Sequence, residues 1–276
     1  MVPEFILGVR GHDYGKGNVQ DIFTHIKQDG WECTQLAFKK LVVGVTSYED
    51  VTPEIVAEAR NAMKKVQLSV AVLGTYVELG TLNSEKRQKD VADFISQIPV
   101  CKELGASCIA SETSDFDSLN STVSREEGLK ALLTSLEAIM PEAERQGVMV
   151  ALEPVWSHTM NTVEATREII DNVKSPNLKI VFDPANLLSP ECLNKQDEIY
   201  RHAIDSWGNL IAAVHIKGVR RSEQGYHMCS LNDSVMNYKA VFDALKEIPQ
   251  KRLSILREGA SPEFAKQDQE FLKQFF

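Results

Sequence analysis

Short apolar runs alternate with longer amphipathic stretches eight times along the chain. The apolar runs lie at 5–10 (FILGVR), 31–37 (WECTQLA), 67–73 (QLSVAVL), 107–111 (SCIAS), 148–153 (VMVALE), 178–183 (LKIVFD), 210–216 (LIAAVHI) and 253–258 (LSILRE). They are continuously apolar rather than strictly alternating. Strands of a parallel sheet read this way when helices cover them.

The intervening stretches carry helical periodicity and start signals. Thr52-Pro53-Glu54 offers a cap, a proline at the first helical position and an acid in the first turn; Ile55, Val56, Ala59, Met63 and Val66 then recur at helical spacing. A second helix is expected from near Ser84 through Val91, Phe94, Ile95 and Ile98 to Pro99. Ser124-Arg125-Glu126-Glu127 fits a capping box and opens a third, in which Pro141 is expected to kink or restart the helix. Thr162 is expected to cap the helix after the fifth strand, and Ser261-Pro262-Glu263 to open the last one.

Eight strand–helix units in a chain of 276 residues predict α/β architecture, a single (β/α)8 TIM barrel formed as one domain over residues 1–276. A doubly wound open sheet is the competing arrangement. It is disfavoured because no GxGxxG follows the first strand and the candidate site residues come from four different strands.

Composition narrows the class. Hydrophobic residues make up 43% and charged residues 25%, as in ordinary globular proteins. No apolar run approaches the ~20 residues of a membrane helix, and the N-terminal stretch lacks a basic leader region, so no signal peptide is expected. The five cysteines (Cys33, Cys101, Cys108, Cys192, Cys229) are odd in number and form no CxxC pair. They read as reduced thiols of a cytoplasmic protein, with Cys101 and Cys108 in or beside the core. A net charge of −9 with scattered basic residues argues against nucleic acid as a partner, and no membrane partner is expected. The densest basic clusters are KRQK at 86–89, read as a solvated helix face, and Arg220-Arg221.

The chemistry concentrates at strand ends. Glu153, Asp183, His215 and Glu258 close or nearly close the fifth, sixth, seventh and eighth apolar runs. An acid at one strand end could equally cap the next helix or pair with an arginine. Four in succession are hard to explain that way. In a parallel barrel the C-terminal strand ends converge on the face that carries active sites, and two Glu, one Asp and one His there make an oxygen-rich, one-nitrogen site for a divalent cation. Pro154 and Pro184 stop two of the strands directly after their carboxylates.

ALEPVW at 151–156, VFDPANLL at 181–188, AVHIKGVR at 213–220 and ILREG at 255–259 resemble the metal-binding strand ends of the xylose isomerase-like TIM barrel superfamily. That superfamily holds sugar isomerases and epimerases, inosose and dehydroshikimate dehydratases, and apurinic endonucleases. The resemblance runs from GVRGHD after the first strand to the last strand. It implies that Glu153, Asp183, His215 and Glu258 bind one divalent metal ion, Mn2+ first, with Mg2+, Co2+ or Zn2+ as the other choices. In the ketose 3-epimerase branch the two ligand glutamates also serve as acid and base, which gives Glu153 and Glu258 catalytic roles. That branch carries a His three residues after the ligand Asp, where this chain has Asn186, and an Arg six residues after the ligand His, which is Arg221 here with Arg220 as its competitor.

The function expected from the resemblance is a metal-dependent sugar isomerase or epimerase of carbohydrate metabolism. It would act on a small-molecule sugar, a ketose or polyol-like substrate, through an enediolate. The alternative is a metal-dependent dehydratase on the same site, with Lys217 or His158 as the acid. An apurinic endonuclease fits less well, because its further histidines are missing, and so does a non-catalytic sugar-binding barrel. Homo-oligomers are common in the family. Other residues placed near the site are His12 and Asp13 after the first strand, Glu112 after the fourth, and Trp156 and His158 just past Glu153. Lys217 is expected to face the same side as His215. His227 falls in a loop long enough to be a lid, and His25 and His202 read as surface or packing residues.

Overall fold

The computed structural model describes residues 2–116, 124–222, 225–259 and 261–276. Eight parallel strands close a barrel: β1 (Glu4–Arg10), β2 (Cys33–Leu36), β3 (Ser69–Gly74), β4 (Cys108–Glu112), β5 (Val150–Glu153), β6 (Leu178–Phe182), β7 (Ile211–Ile216) and, eighth in the barrel, β10 (Arg252–Arg257). Going round from β1, the order is β10, β7, β6, β5, β4, β3 and β2, which pairs with β1. Each expected strand is present. The remaining two strands, β8 (Val219–Ser222) and β9 (Gly225–Met228), form an antiparallel ribbon in the segment expected to be a lid-length loop.

Helices α1 (Val19–Gln28), α3 (Pro53–Val66), α4 (Ser84–Leu104), α5 (Arg125–Gln146), α6 (Val163–Val173), α8 (Gln196–Trp207), α9 (Tyr238–Leu245) and α10 (Ala265–Lys273) follow the strands; α2 (Phe38–Leu41) and α7 (Pro184–Leu187) are single turns. Among the described residues no helix is long and apolar enough to cross a membrane.

The continuous apolarity of the strands follows from burial on both sides. Alternate residues face outward into the layer shared with the helices. The others fill the barrel interior, which is lined by small side chains: Cys33, Ala71, Cys108, Ala110, Ala151 and Ala213, with Val72, Val181 and Leu256. Gly8 belongs to a close approach of this kind, since a Cβ there would lie 2.4 Å from Cys33 Sγ and 2.5 Å from its carbonyl oxygen. All five cysteines are free thiols, and Cys33, Cys101 and Cys108 are buried.

Caps behave as the sequence suggests where side chains reach. Ser124 and Glu127 complete a reciprocal capping box, and Thr162 accepts a hydrogen bond from the Ala165 amide. Thr52 stands at the cap position of α3, but its side chain accepts no hydrogen bond from a helix amide. The prolines differ from expectation: α4 runs through Pro99 to Leu104, and α5 does not restart at Pro141. Phe94, Ile98, Cys101 and Leu104 in one helix, and Ile139, Met140 and Ala143 in the other, are buried on both sides of the proline. That packing outweighs the ~3 kcal/mol penalty of an interior proline. The last helix is preceded by a 3-10 turn at Pro262–Phe264, so the Ser261 signal opens that turn rather than α10 itself.

A buried ion pair fixes the end of the eighth barrel strand. Arg257 is wholly buried, with Nε 2.6 Å from Asp268 Oδ2 on α10. Its other nitrogens donate to the carbonyls of Cys229 and Glu258, while Asp268 Oδ1 accepts from the Leu231 amide. One guanidinium thus ties together β10, α10 and the segment leaving β9. Removing one partner of such a pair strands the other charge in the interior, at a cost of about 3–5 kcal/mol. Asp268→Asn is expected to lower unfolding stability by about 3 kcal/mol or more in urea titrations; a loss below ~1 kcal/mol would show that the pair is not anchoring the strand.

Candidate metal centre

The strand order puts the four strand-end residues on consecutive staves. Glu153 ends β5, Asp183 follows β6, His215 lies in β7 and Glu258 follows β10, and these strands are neighbours in that order round the barrel. All four residues are buried. Ligand atoms of Glu153, Asp183 and His215 lie within 4.8 Å of one another. His215 Nδ1 is 3.1 Å from Glu153 Oε2 and 3.0 Å from Glu258 Oε2, so Glu258 completes an arc with a glutamate at each end.

Asp183 shows how one carboxylate serves two purposes. Its Oδ1 caps α7, accepting from the amides of Ala185 and Asn186 at 2.8 and 2.9 Å. Pro184 at the first helical position fixes that turn. The other oxygen, Oδ2, is left for the barrel mouth. The helix-cap role and the site role are therefore both real, one on each oxygen.

Two cations and an amide compensate the carboxylates. Lys217 Nζ lies 2.9 Å from Glu258 Oε1 and 3.1 Å from Asp183 Oδ2, and donates to Asn186 Oδ1 at 2.8 Å. Asn186 Nδ2 in turn donates to Glu153 Oε1 at 2.5 Å. Arg10 reaches Glu258 Oε1 at 2.5 Å and holds Asp13 Oδ1 with its Nε and Nη2, while Asp13 Oδ2 accepts from the Gly259 amide. The ends of β1 and β10 are clamped together by this chain.

The charges shape the protonation states. Burial raises the Asp183 carboxyl to about 6, against the pull of Lys217 and with a push from Glu153 and Glu258. Burial would lower His215, but Glu153 and Glu258 outweigh it and hold the imidazole near 10. Burial would raise Glu258 as well; Lys217, His215 and Arg10 overcome that and keep it well below the usual carboxylate range. Glu112, at the end of β4 and paired in register with Glu153, is raised to about 7 by burial and then by Glu153 and Glu258.

These residues fit a divalent cation. Both ring nitrogens of His215 and Asp183 Oδ2 are buried without a hydrogen-bond partner, although other polar atoms stand about 3 Å away. Groups that face one another without hydrogen-bonding geometry are arranged as ligands aimed at a common point are. The carboxylate field that keeps a proton on His215 is also the field that attracts a metal ion, which would displace that proton on binding.

The other predicted positions divide. His12 and His158 lie at the barrel mouth, both buried enough to be lowered in pKa, His12 to about 3 by burial and then Arg10 and Lys40. His158 Nε2 is 4.0 Å from Glu112 Oε2. Trp156 is drawn elsewhere: its amide donates to the Asn186 carbonyl, and its 36% exposed side chain lines a separate pocket of about 260 Å3 with Leu187, Cys192, Ile199 and His202. Arg220 is exposed on β8 and pairs with Asp233 at 2.9 Å, so the structure does not bring it to the arc. Arg221 also lies in β8, and its side chain is outside the described residues. His227 is exposed on β9.

Sequence reasoning missed Arg10, Gln35, Lys40 and Tyr76. Arg10 ends the first strand as the other site residues end theirs, a signal that its positive charge masked. Tyr76 follows β3, with its hydroxyl accepting from Gln35 Nε2 at 2.8 Å.

Comparison with known proteins agrees with this architecture. No curated protein sequence matches the chain. Among solved structures, it superposes on the E. coli 3-keto-D-glucoside 4-epimerase YcjR with a TM-score of 0.76 at 17% identity, covering 98% of this chain and 100% of the other. A D-psicose 3-epimerase crystallised in the presence of D-fructose gives 0.76 at 14%, covering 98% and 99%. The IolI protein with a bound zinc atom gives 0.74 at 16%, covering 98% and 96%. At these identities the likeness speaks for the fold. The sequence itself matches the family described as "Xylose isomerase-like TIM barrel" over residues 23–275. This chain belongs to the xylose isomerase-like TIM barrel family.

Proposed function

We propose that the chain is a divalent-metal-dependent isomerase or epimerase of a small ketose or sugar-like polyol, acting by proton abstraction and return through an enediolate. The observation that carries this reading is the pair of glutamates at the two ends of the arc, each with a carboxylate oxygen about 3 Å from the same His215 nitrogen. Two carboxylates on either side of one point can serve opposite sides of a carbon held there.

Glu153, Asp183, His215 and Glu258 would hold the metal ion. When bound, it would polarise a substrate carbonyl and the adjoining hydroxyl and so acidify the proton on the carbon between them. Glu258, kept ionised by Lys217 and Arg10, would take that proton; the C–H electron pair would pass into the enediolate. Glu153, positioned by the Asn186 amide, would deliver from the other end of the arc a proton it took from solvent before substrate bound, and exchange with solvent after product release would take the proton off Glu258 and restore one to Glu153. Return to the same carbon gives epimerisation, and return to the neighbouring carbon gives isomerisation. Burial of the arc keeps bulk water from exchanging the proton prematurely.

Dehydration on the same site is the weaker reading. It needs an acid for the departing hydroxyl, and Lys217 is nearest. Its ammonium is held by two carboxylates and an amide oxygen, a setting that retains a proton rather than releasing it.

Mn2+-loaded protein incubated with a panel of ketoses in D2O is expected to introduce solvent deuterium at the carbon beside the carbonyl, read by mass spectrometry or NMR. Glu153→Gln and Glu258→Gln are each expected to slow this exchange by about 10²–10⁴-fold with cooperative unfolding retained. Exchange at the parent rate in both variants would remove the acid/base assignment.

A further inference from the structure

We propose that the lower mouth of the barrel, at the start of the strands and away from the metal-ligand arc, is a binding site for a small monocarboxylic acid with an apolar body. The site is organised around Lys179.

Lys179 stands where the inside of a barrel is ordinarily apolar. It is the second residue of β6 and shares the inward face of that strand with Val181 and Asp183, two and four residues further on. Four residues of strand separate it from Asp183 by about 13 Å. Between the two levels the interior is filled by buried side chains, among them Cys108, Ala110, Ala151, Val181 and Ala213. The lower mouth is therefore a compartment of its own.

The lysine is uncompensated. Among the described residues its side chain makes no ion pair or hydrogen bond, and burial alone lowers its pKa, with no acidic group acting against it. It lines a cavity of about 580 Å3 whose described wall holds no Asp or Glu. Arg252, the other charged residue of that wall, already pairs with Glu4 at 2.9 Å. One positive charge is thus left over, which matches one negative charge rather than the two of a phosphate dianion.

The wall selects the rest of the ligand. Ile6, Val70, Met149 and Leu253 give it apolar surface, and Ser107 and Asn209 add hydrogen-bonding groups. Gln250 holds part of the rim in place, donating through Nε2 to the carbonyls of Gly208 and Ile211 at 2.9 and 2.8 Å. The volume falls within the ~300–1,000 Å3 of pockets that enclose small organic ligands. An apolar body can bury against such walls while its carboxylate takes the ammonium in a charge-assisted hydrogen bond.

The test is calorimetric titration of the full chain with sodium benzoate, with benzyl alcohol as the uncharged counterpart and inorganic phosphate as the apolar-free anion. Each is repeated on Lys179→Met and on Lys179→Gln, so that one variant failing to fold leaves the other. A hydrogen bond to a charged group corresponds to a roughly tenfold to hundredfold change in affinity. The expected result is benzoate binding by the parent, equal with Mn2+ loaded or removed by chelation, and weakened about tenfold or more in each variant that keeps the parent melting temperature. Benzyl alcohol and phosphate should bind the parent at least tenfold more weakly than benzoate. Equal benzoate affinity in parent and folded variant, phosphate binding tighter than benzoate, or no benzoate binding by the parent would each overturn the site. Benzoate binding that disappears with the metal would place the carboxylate at the opposite mouth and overturn it as well.

Discussion

The structure turns on buried negative charge. Glu153, Asp183 and Glu258 bring three carboxylates to the ends of β5, β6 and β10, with only the His215 strand between the last two, out of contact with bulk water. Like charges at that range are unfavourable unless cations stand among them. Lys217 inserts between Asp183 and Glu258, Arg10 grips Glu258 from the neighbouring strand, and His215 lies between the two glutamates. Much of the barrel mouth can be read as the means of keeping this cluster together, and the same cluster is suited to a doubly charged ion.

The supports lie outside the ligand set. Arg257 is next to Glu258 in sequence but points to the opposite side of the strand, where Asp268 and two backbone carbonyls hold it. Asp13 links the Arg10 side chain to the Gly259 amide, so the backbone on which Glu258 sits is held from both directions. Gly218 makes the same point for His215 and Lys217. A Cβ there would come 2.1 Å from the Cys229 carbonyl oxygen, so only glycine lets the β8–β9 ribbon close against the end of β7.

The barrel and the arc were legible in the sequence for one reason. A strand buried on both faces is apolar throughout, so a polar residue at its end stands out, and four of them in succession mark a face. The less legible parts lack such contrast. Arg10 ends a strand too, but an arginine there reads as a solvated charge until Asp13 and Glu258 are seen around it. Gln35 and Tyr76 are single residues in apolar surroundings, and only the register of β2 beside β3 brings them together. The β8–β9 ribbon has no apolar run to announce it. Pro99 and Pro141 are local stop signals overruled by the packing of residues on either side. Trp156 was placed near the site because it follows Glu153; its amide donates to the Asn186 carbonyl, and the residue lines a pocket with Leu187, Cys192, Ile199 and His202.

The account stands or falls on whether the arc binds a metal ion. Elemental analysis of the purified chain after Mn2+ loading and removal of free metal, with Asp183→Ala treated in parallel, addresses this most directly. The account predicts about one metal ion per chain in the parent, lost in the variant while the variant remains folded. No metal under any loading, or equal metal in the two proteins, would contradict it.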